Sequence, residues 1–390
     1  MAARNYYTLY LPGGIPFDLR ILLVPVVVGV FAVFCFADLR FISPTIAADS
    51  SVMLDELWLM TKGAEASSSY YYSALIFQSL PEGLLLPAVA LVGIAHILIL
   101  YGRNSHPVTL LLCTVLLLPA LLFFARPAKE TLLSPVTFLV LGLLCLRLNG
   151  LLRVLAVAAC YLFYAYFMRE YFVVILAAFA GLMILLPLSW GLRLALLAGA
   201  LAALSLAPSE LFQLLQGPRD AVNLLRMATS VVGVQSAFNN PLPPDGLGNF
   251  LLNYGYAFAR LNLPVLFQLR MQEVFLLSVV LATFTLIAFG LRRGGPKERA
   301  CALLVLAHAL TLNLFEPDLG SYLRHLTSAT IYLAPVLSLL DRHLAAPETQ
   351  AEAGALAETQ AAAQAAAQAD AGAQAVPRGD APANDGFSRA

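Results

Sequence analysis

Residues 273–315 read EVFLLSVVLATFTLIAFGLRRGGPKERACALLVLAHALTLNLF. Two apolar runs, 273–291 and 300–315, flank a short segment, residues 292–299, that holds four basic residues and one acid. About 20 apolar residues are enough to cross the hydrocarbon core of a membrane as a helix. Short basic loops between such runs stay on the cytoplasmic side. The stretch therefore predicts two transmembrane helices joined by a cytoplasmic loop.

The rest of the chain repeats this pattern. Hydrophobic residues make up 60% of the sequence and charged residues 12%. The runs are too long, and too rich in Leu and Ala, for the alternating strands of a membrane barrel. We predict an all-α polytopic integral membrane protein with about ten transmembrane helices. The predicted spans are 21–37, 83–101, 108–125, 131–147, 151–167, 171–189, 191–207, 273–291, 300–315 and 321–340.

Charges in the gaps predict an orientation. Every second segment that connects two apolar runs is short and basic, as at Arg103, Arg147 and Arg193. The other connecting segments contain both acidic and basic residues. The positive-inside rule then places both termini in the cytoplasm, with residues 1–20 as a short cytoplasmic segment. It also predicts two long periplasmic loops, 38–82 and 208–272. The first run has no cleavage site behind it, so we interpret it as a retained span.

Two segments differ from the apolar body. Within loop 208–272, residues Ser209–Met227 are amphipathic and suit a helix lying in the membrane interface, broken at Gly217-Pro218. A turn-rich patch follows at 239–246, and a structureless loop of this length is usually functional. After the transmembrane domain, 21–342, residues 343–390 are rich in Ala and Gln. Their composition predicts a disordered cytoplasmic tail.

Composition and motifs also exclude several functions. The formal net charge is zero, which gives no bias toward nucleic acid. The five cysteines fall in or beside apolar runs without CxxC spacing, so we interpret them as small buried hydrophobes. No sequence motif for a metal or cofactor is present. His96 and His308 lie in apolar runs and are interpreted as hydrogen-bonded core histidines.

Charged residues at the predicted outer face form three short clusters. Each has a simple alternative explanation, because Arg and Lys commonly anchor helix ends at the interface. In a functional interpretation they form a site. The clusters are Arg126-Pro-Ala-Lys129-Glu130, then Arg169-Glu170-Tyr171, and finally Glu316-Pro-Asp318 with Arg324-His325.

The third cluster reaches furthest into the apolar region. Arg324 and His325 are predicted to lie about one turn inside the last span, and intramembrane ionisable residues are functional candidates by default. Adjacent helical residues point about 100° apart. We therefore expect that Arg324 and His325 do not face the protein interior equally well.

The residue types in these clusters fit an anionic lipid-linked substrate. The planar guanidinium binds phosphate through two hydrogen bonds. A carboxylate or an imidazole, from Glu130, Glu170 or His325, can deprotonate a sugar hydroxyl. Substrate-binding candidates that hold the diphosphate or the sugar are Arg126, Lys129, Arg169, Tyr171, Glu316, Asp318 and Arg324.

Over residues 15–342 the layout resembles the Wzy-like polysaccharide polymerases, which join lipid-linked oligosaccharide repeats at the periplasmic face. Shared features are the number of spans, the large loop in the second half, and the short motifs at 126–130, 169–171 and 324–325, with Pro335 beyond. The resemblance implies that Arg169 and Arg324 contact the lipid diphosphate. It also implies a polyprenyl-linked oligosaccharide substrate, membrane lipids, and a flippase and chain-length regulator as partners.

A second resemblance is to the GT-C membrane glycosyltransferases, which carry an acidic pair in their first periplasmic loop. Asp55-Glu56 occupies that place here and would supply the base, although the chain lacks the soluble periplasmic domain of many members. Two other classes stay open: a transporter or lipid flippase, and a non-catalytic component of envelope assembly. Compactness and the absence of eukaryotic sorting signals predict a bacterial inner membrane location.

Overall fold

The computed structural model describes residues 8–11, 15–36, 69–102, 104–229 and 236–345. The predicted residues Asp55 and Glu56 lie outside this part of the chain. The chain divides into two units, Met1–Asp341 and Arg342–Ala390. Of the second unit the structure describes residues 342–345, which are helical.

Helices dominate the first unit. A short antiparallel hairpin, β1 (Thr8–Leu11) with β2 (Ile15–Asp18), precedes them. The helices are α1 (Leu19–Phe36), α2 (Ser69–Ser79), α3 (Glu82–Tyr101), α4 (Pro107–Phe123), α5 (Lys129–Cys145), α6 (Gly150–Phe167), α7 (Phe172–Leu185), α8 (Trp190–Ser205), α9 (Ser209–Thr229), α10 (Leu247–Asn262), α11 (Met271–Arg293), α12 (Pro296–Phe315) and α13 (Leu319–Thr330). Among the residues described above, 3-10 turns occur at Pro264–Leu266 and Ile331–Leu333.

Within the described part of the chain, five helices are long and apolar enough to cross a membrane: α1, α3, α6, α11 and α12. A sixth span results if α8 and the first part of α9, which meet at 95°, form one broken span. Large apolar side chains stay exposed along these helices, for example Val33, Leu91 and Phe163. An apolar surface this extensive is unusual on a soluble monomer. The chain thus has the composition of a multi-pass helical membrane protein.

Other predicted spans correspond to shorter or interrupted helices. The runs at 108–125 and 171–189 form α4 and α7, which have 17 and 14 residues. The predicted span 321–340 is α13, a 3-10 turn and a further helical stretch from residue 334, rather than one regular helix. The 3-10 turn tightens the backbone between two helical segments. Composition alone gave no sign of that interruption.

The core is built around α12, the most buried of the five candidate spans. It packs against α7, α11 and α13. Hydrogen bonds to Leu310 and Asn313 join the C-terminal part of α12 to α9 and α10. Near the N-terminal end of the chain, α1 packs closely on α3 because Gly93 has no side chain. A Cβ there would lie 2.0 Å from the ring of Phe31, which is buried. Any larger residue at 93 must displace that ring.

The predicted long loop 208–272 is mostly helical, and it contains α10 in addition to the helix predicted at Ser209–Met227. The amphipathic segment forms α9, and its predicted break at Gly217-Pro218 is wrong because the helix continues through Pro218. Proline removes one helical hydrogen bond, but the buried neighbours Gln216 and Arg219 are tied to other elements. The turn-rich patch 239–246 is irregular, as predicted, and leads into α10.

Candidate active site

Three helix connections bring the predicted clusters to one end of the helices. Helix α5 starts at Lys129, α6 ends at Phe167 just before α7, and α12 ends at Phe315 just before α13. Helices α5 and α6 pack together, as do α12 with α7 and α13 with α5. The start of α5 therefore meets the two connections. This is the opposite end of α12 from the basic segment 292–299.

Glu130 is the centre of the resulting cluster. Its carboxylate is buried, and its Oε1 lies 3.1 Å from Nη2 of Arg169 and 3.4 Å from Nε of Arg324. The same oxygen lies 3.1 Å from Nε2 of His325. A buried carboxylate needs such partners, since an uncompensated charge is costly away from water. We call these residues, together with Glu316, the Arg–Glu–His cluster.

His325 joins both carboxylates of this cluster. Its Nδ1 is hydrogen-bonded to Oε1 of Glu316, and its Nε2 receives a hydrogen bond from Nη1 of Arg169. With a proton on Nδ1, the imidazole donates to Glu316 and accepts from Arg169. When Nε2 also carries a proton, that nitrogen can donate to Glu130 instead. Each protonation state of the ring therefore has a partner, which suits a proton-transferring group.

Arg324 and His325 differ in burial, as expected, because His325 is buried whereas Arg324 is only partly buried. Both side chains reach the carboxylate of Glu130, although they are adjacent on α13. An arginine side chain is long enough to bend back across the helix surface, so the angle between adjacent positions does not limit it.

Electrostatics keep the two carboxyls ionised. Burial favours the neutral form of Glu130, but Arg324, His325 and Arg169 outweigh it and hold the pKa of this carboxyl well below its usual range. Burial likewise opposes ionisation of Glu316, yet His325 and Arg169 lower its pKa. Glu130 is therefore a poor general base. It acts instead as an anchor for the surrounding cations.

An aromatic cavity lies beside the cluster, and Tyr171 contacts both. Tyr171 accepts a hydrogen bond from Nη1 of Arg169 at 2.8 Å, and its ring stacks on Phe315 with centroids 5.7 Å apart. Both rings line a cavity of about 470 Å³, which Tyr166, Phe167 and Leu214 also line.

The other predicted site residues are found at several places around the cluster. Glu170 is exposed and lines the aromatic cavity. Asp318 caps α13 by accepting a hydrogen bond from the Ser321 N–H at 2.9 Å. Helix capping therefore explains why an aspartate occupies this position. Lys129 is buried at the first residue of α5, and Arg126 is partly exposed just before it.

The sequence analysis missed Arg219. This side chain is fully buried on α9, and its Nε donates to the Glu316 carbonyl at 3.0 Å. It also donates to the Asn313 carbonyl and to Oδ1 of Asn240, and its guanidinium lies 4.9 Å from the Phe238 ring centroid. Arg219 thus fastens α9 to the end of α12, directly behind the cluster. Arg219 shares the buried face of α9 with Phe212, Gln216 and Asn223, and this mostly polar face has no apolar pattern that would have identified it.

The two intramembrane histidines differ from each other. His308 is buried and its Nε2 is 2.7 Å from the Tyr161 hydroxyl, which also contacts Tyr332 at 2.9 Å. The interpretation of a hydrogen-bonded core histidine describes His308 correctly. For His96 it is wrong, because neither ring nitrogen has a hydrogen-bond partner among the described residues. The ring of His96 packs 4.8 Å from that of Phe124.

The Arg–Glu–His cluster contains two arginines that can contact an anion and an imidazole that is oriented by a carboxylate. An aromatic cavity lies next to it. Charge stabilisation and proton transfer could therefore occur at the same place. No family model, curated protein or solved structure matches the chain.

Proposed function

We propose that the protein is a membrane glycosyltransferase that acts on polyprenyl-diphosphate-linked sugars and polymerises the repeat units of a surface polysaccharide. The observation that carries the proposal is the convergence of Arg169 and Arg324, from two different helix connections, on the buried Glu130. The two arginine side chains keep 12% and 18% of their surface exposed, against 2% for the side chain of Glu130. The cations therefore form the outer layer of the cluster and can meet an incoming diphosphate.

His325 is the proposed general base. Its Nε2 takes the proton of the acceptor sugar hydroxyl, whose oxygen then bonds to the anomeric carbon of the donor sugar. The bond from that carbon to the diphosphate oxygen breaks, and its electron pair leaves with the polyprenyl diphosphate. Arg169 and Arg324 stabilise the charge that builds on this leaving group. Glu316, hydrogen-bonded to Nδ1, positions the imidazole.

The aromatic cavity is the proposed sugar site. Tyr166 and Phe167 supply flat apolar faces, and Glu170 supplies a carboxylate at the same wall. Binding sites commonly combine such an apolar lining with a few polar groups that fix orientation. A cavity of about 470 Å³ is large enough for a short oligosaccharide portion.

The proposal includes an orientation and a location. About ten spans with both termini in the cytoplasm put the Arg–Glu–His cluster at the periplasmic face of a bacterial inner membrane. The basic segment 292–299 supports this orientation, because it lies at the other end of α12. A flippase that delivers the lipid-linked repeats and a chain-length regulator are the proposed partners.

The test is the length profile of surface polysaccharide in a deletion strain complemented with wild type, Arg324→Ala, Arg324→Lys or Arg270→Ala. Arg270 is an exposed arginine just before α11 and serves as the matched control. We expect single repeats with Arg324→Ala, partial rescue with Arg324→Lys, and normal chains with Arg270→Ala. Lysine keeps the positive charge but cannot donate the two parallel hydrogen bonds that a guanidinium gives to a phosphate.

Protein levels in the membrane must be equal for all variants. Normal chains in the deletion strain itself would overturn the polymerase proposal. Normal chains with Arg324→Ala, beside their loss in the deletion strain, would show that the protein is needed but that Arg324 is not part of its site.

A further inference from the structure

A second cavity lies at the opposite end of the helices from the Arg–Glu–His cluster. It has a volume of about 630 Å³ and is formed where α5 ends, α6 begins and α12 begins. The residues that line it include Arg147, Asn149, Arg153, Lys297 and Glu298. We call it the basic cavity. Nothing in the proposed glycosyl transfer uses it.

Positive charge dominates the lining. Arg147, Arg153 and Lys297 contribute three cations and Glu298 one carboxylate, which leaves a formal charge of +2. Lys297 lies 3.5 Å from the Glu298 carboxylate and offsets it. The two helices that begin here, α6 and α12, direct the positive ends of their dipoles toward the same space. An anion is therefore favoured over a cation or a neutral group.

Arg153 points to a ligand that the chain itself does not supply. The residue is only 7% exposed, yet its Nε has no hydrogen-bond partner within the described part of the chain. An unsatisfied buried donor is costly, and more so when it belongs to a charged group. An anion in the basic cavity would satisfy this donor.

We infer that the basic cavity binds the phosphate of an anionic phospholipid headgroup. Apolar side chains, Leu146 and Leu148, line the cavity beside the cations, and Leu146 is more than half exposed. Such a mixed lining suits a phosphodiester attached to glycerol and acyl chains. A basic cavity between helices at the cytoplasmic end of a membrane protein is a known kind of headgroup site.

Full-length protein purified in a neutral detergent provides the test. Binding is measured by titration with short-chain phosphatidylglycerol, with phosphatidylcholine of the same chain length, and with inorganic phosphate. The test variant is the double substitution Arg147→Ala with Lys297→Ala. Its matched control is Arg292→Ala with Arg299→Ala, which removes two exposed basic residues from the same end but outside the cavity.

We expect saturable binding of phosphatidylglycerol by wild type and by the control pair. The test pair should lose about 10- to 30-fold in affinity, since each basic residue near the surface contributes on the order of a few-fold. Competition by inorganic phosphate would identify the phosphate itself as the recognised group. Absence of competition, with phosphatidylglycerol binding retained, would assign recognition to the whole headgroup.

Equal affinity for phosphatidylcholine, or equal losses in the two double variants, would overturn the inference. Because neither pair alters the buried Arg153, a failure to fold is not expected to obscure the result. Binding of inorganic phosphate alone, with no binding of the lipid, would overturn the headgroup assignment and identify a soluble phosphate as the ligand.

Discussion

Glu130 shows at the residue scale how one buried carboxylate can organise a site. Three cationic or potentially cationic groups contact its Oε1, and they come from the connection between α6 and α7 and from α13. The carboxylate holds two arginine side chains that remain partly exposed, at 12% and 18%. Without it, like charges would repel one another at the same place. Its role is therefore to assemble the cations that are proposed to meet the diphosphate.

Replacing Glu130 with Ala should strongly destabilise the fold. Removing one partner of a buried ion pair costs about 3–5 kcal/mol, because the other charges remain buried without compensation. Thermal unfolding of purified protein in detergent measures the effect. Glu170→Ala is the control, since Glu170 is exposed, and a surface change of this kind should stay within about 0.5 kcal/mol. Similar midpoints for the two variants would contradict the central role of Glu130.

Lowering the pH should reduce the stability that the ionised carboxylates of this cluster give to the folded protein. The folded state lowers the pKa of Glu130 and of Glu316, so the folded protein binds fewer protons than the unfolded chain in the acidic range. This stabilisation is present above the unfolded glutamate value of about 4.3 and is lost as pH falls through the lower folded values. Thermal midpoints measured from pH 7 down to 3.5 should therefore fall, and less steeply in Glu130→Gln. Parallel pH profiles for wild type and Glu130→Gln would count against the prediction.

The sequence indicated which residue types could form a site but not how they meet. Arg169, Arg324, His325 and Glu130 could be selected as charges beside apolar runs, where charge is costly. Their convergence on one oxygen depends on how α5, α6 and α13 pack, which no local pattern encodes. Asp318 was selected on the same grounds and serves as a helix cap, since a cap residue and a ligand look alike in sequence.

At the scale of elements, helix α9 shows how tertiary contacts can override a local sequence signal. The amphipathic pattern of Ser209–Met227 predicted a helix correctly, but Gly217-Pro218 suggested a break that does not occur. Local propensity was outweighed by tertiary contacts, because Gln216 and Arg219 on either side of that pair hold the helix to α10 and α12. The hairpin at residues 8–18 was missed, since so short a pairing leaves little periodic signal.

Arg219→Ala should release α9 from the end of α12. The substitution removes hydrogen bonds to two main-chain carbonyls and to Asn240, and each bond from a charged donor contributes about 1.5–3 kcal/mol. Amide hydrogen exchange should become faster across α9 while α1 stays protected. Gln213→Ala, on the exposed side of the same helix, is the control and should leave the exchange rates unchanged. Unaltered protection of α9 in Arg219→Ala would show that other contacts hold the helix.

At the scale of the whole molecule, α12 separates two sites of different chemistry. A helix of 20 residues is about 30 Å long, which equals the thickness of the hydrocarbon core. The basic cavity lies at its first turn and the Arg–Glu–His cluster just beyond its last. If α12 crosses the membrane, the two sites must face opposite compartments. The positive-inside rule assigns the basic end to the cytoplasm.

Cysteine labelling tests this orientation directly. In a variant without the five native cysteines, Glu170→Cys and Arg299→Cys place one exposed thiol at each end of the molecule. On intact cells a membrane-impermeant maleimide should label the thiol at position 170, and the thiol at position 299 only after permeabilisation. The reverse result would place the Arg–Glu–His cluster in the cytoplasm and exclude polymerisation at the periplasmic face. Labelling of both thiols from one side would mean that α12 does not cross the membrane, and both proposed sites would then need a new assignment.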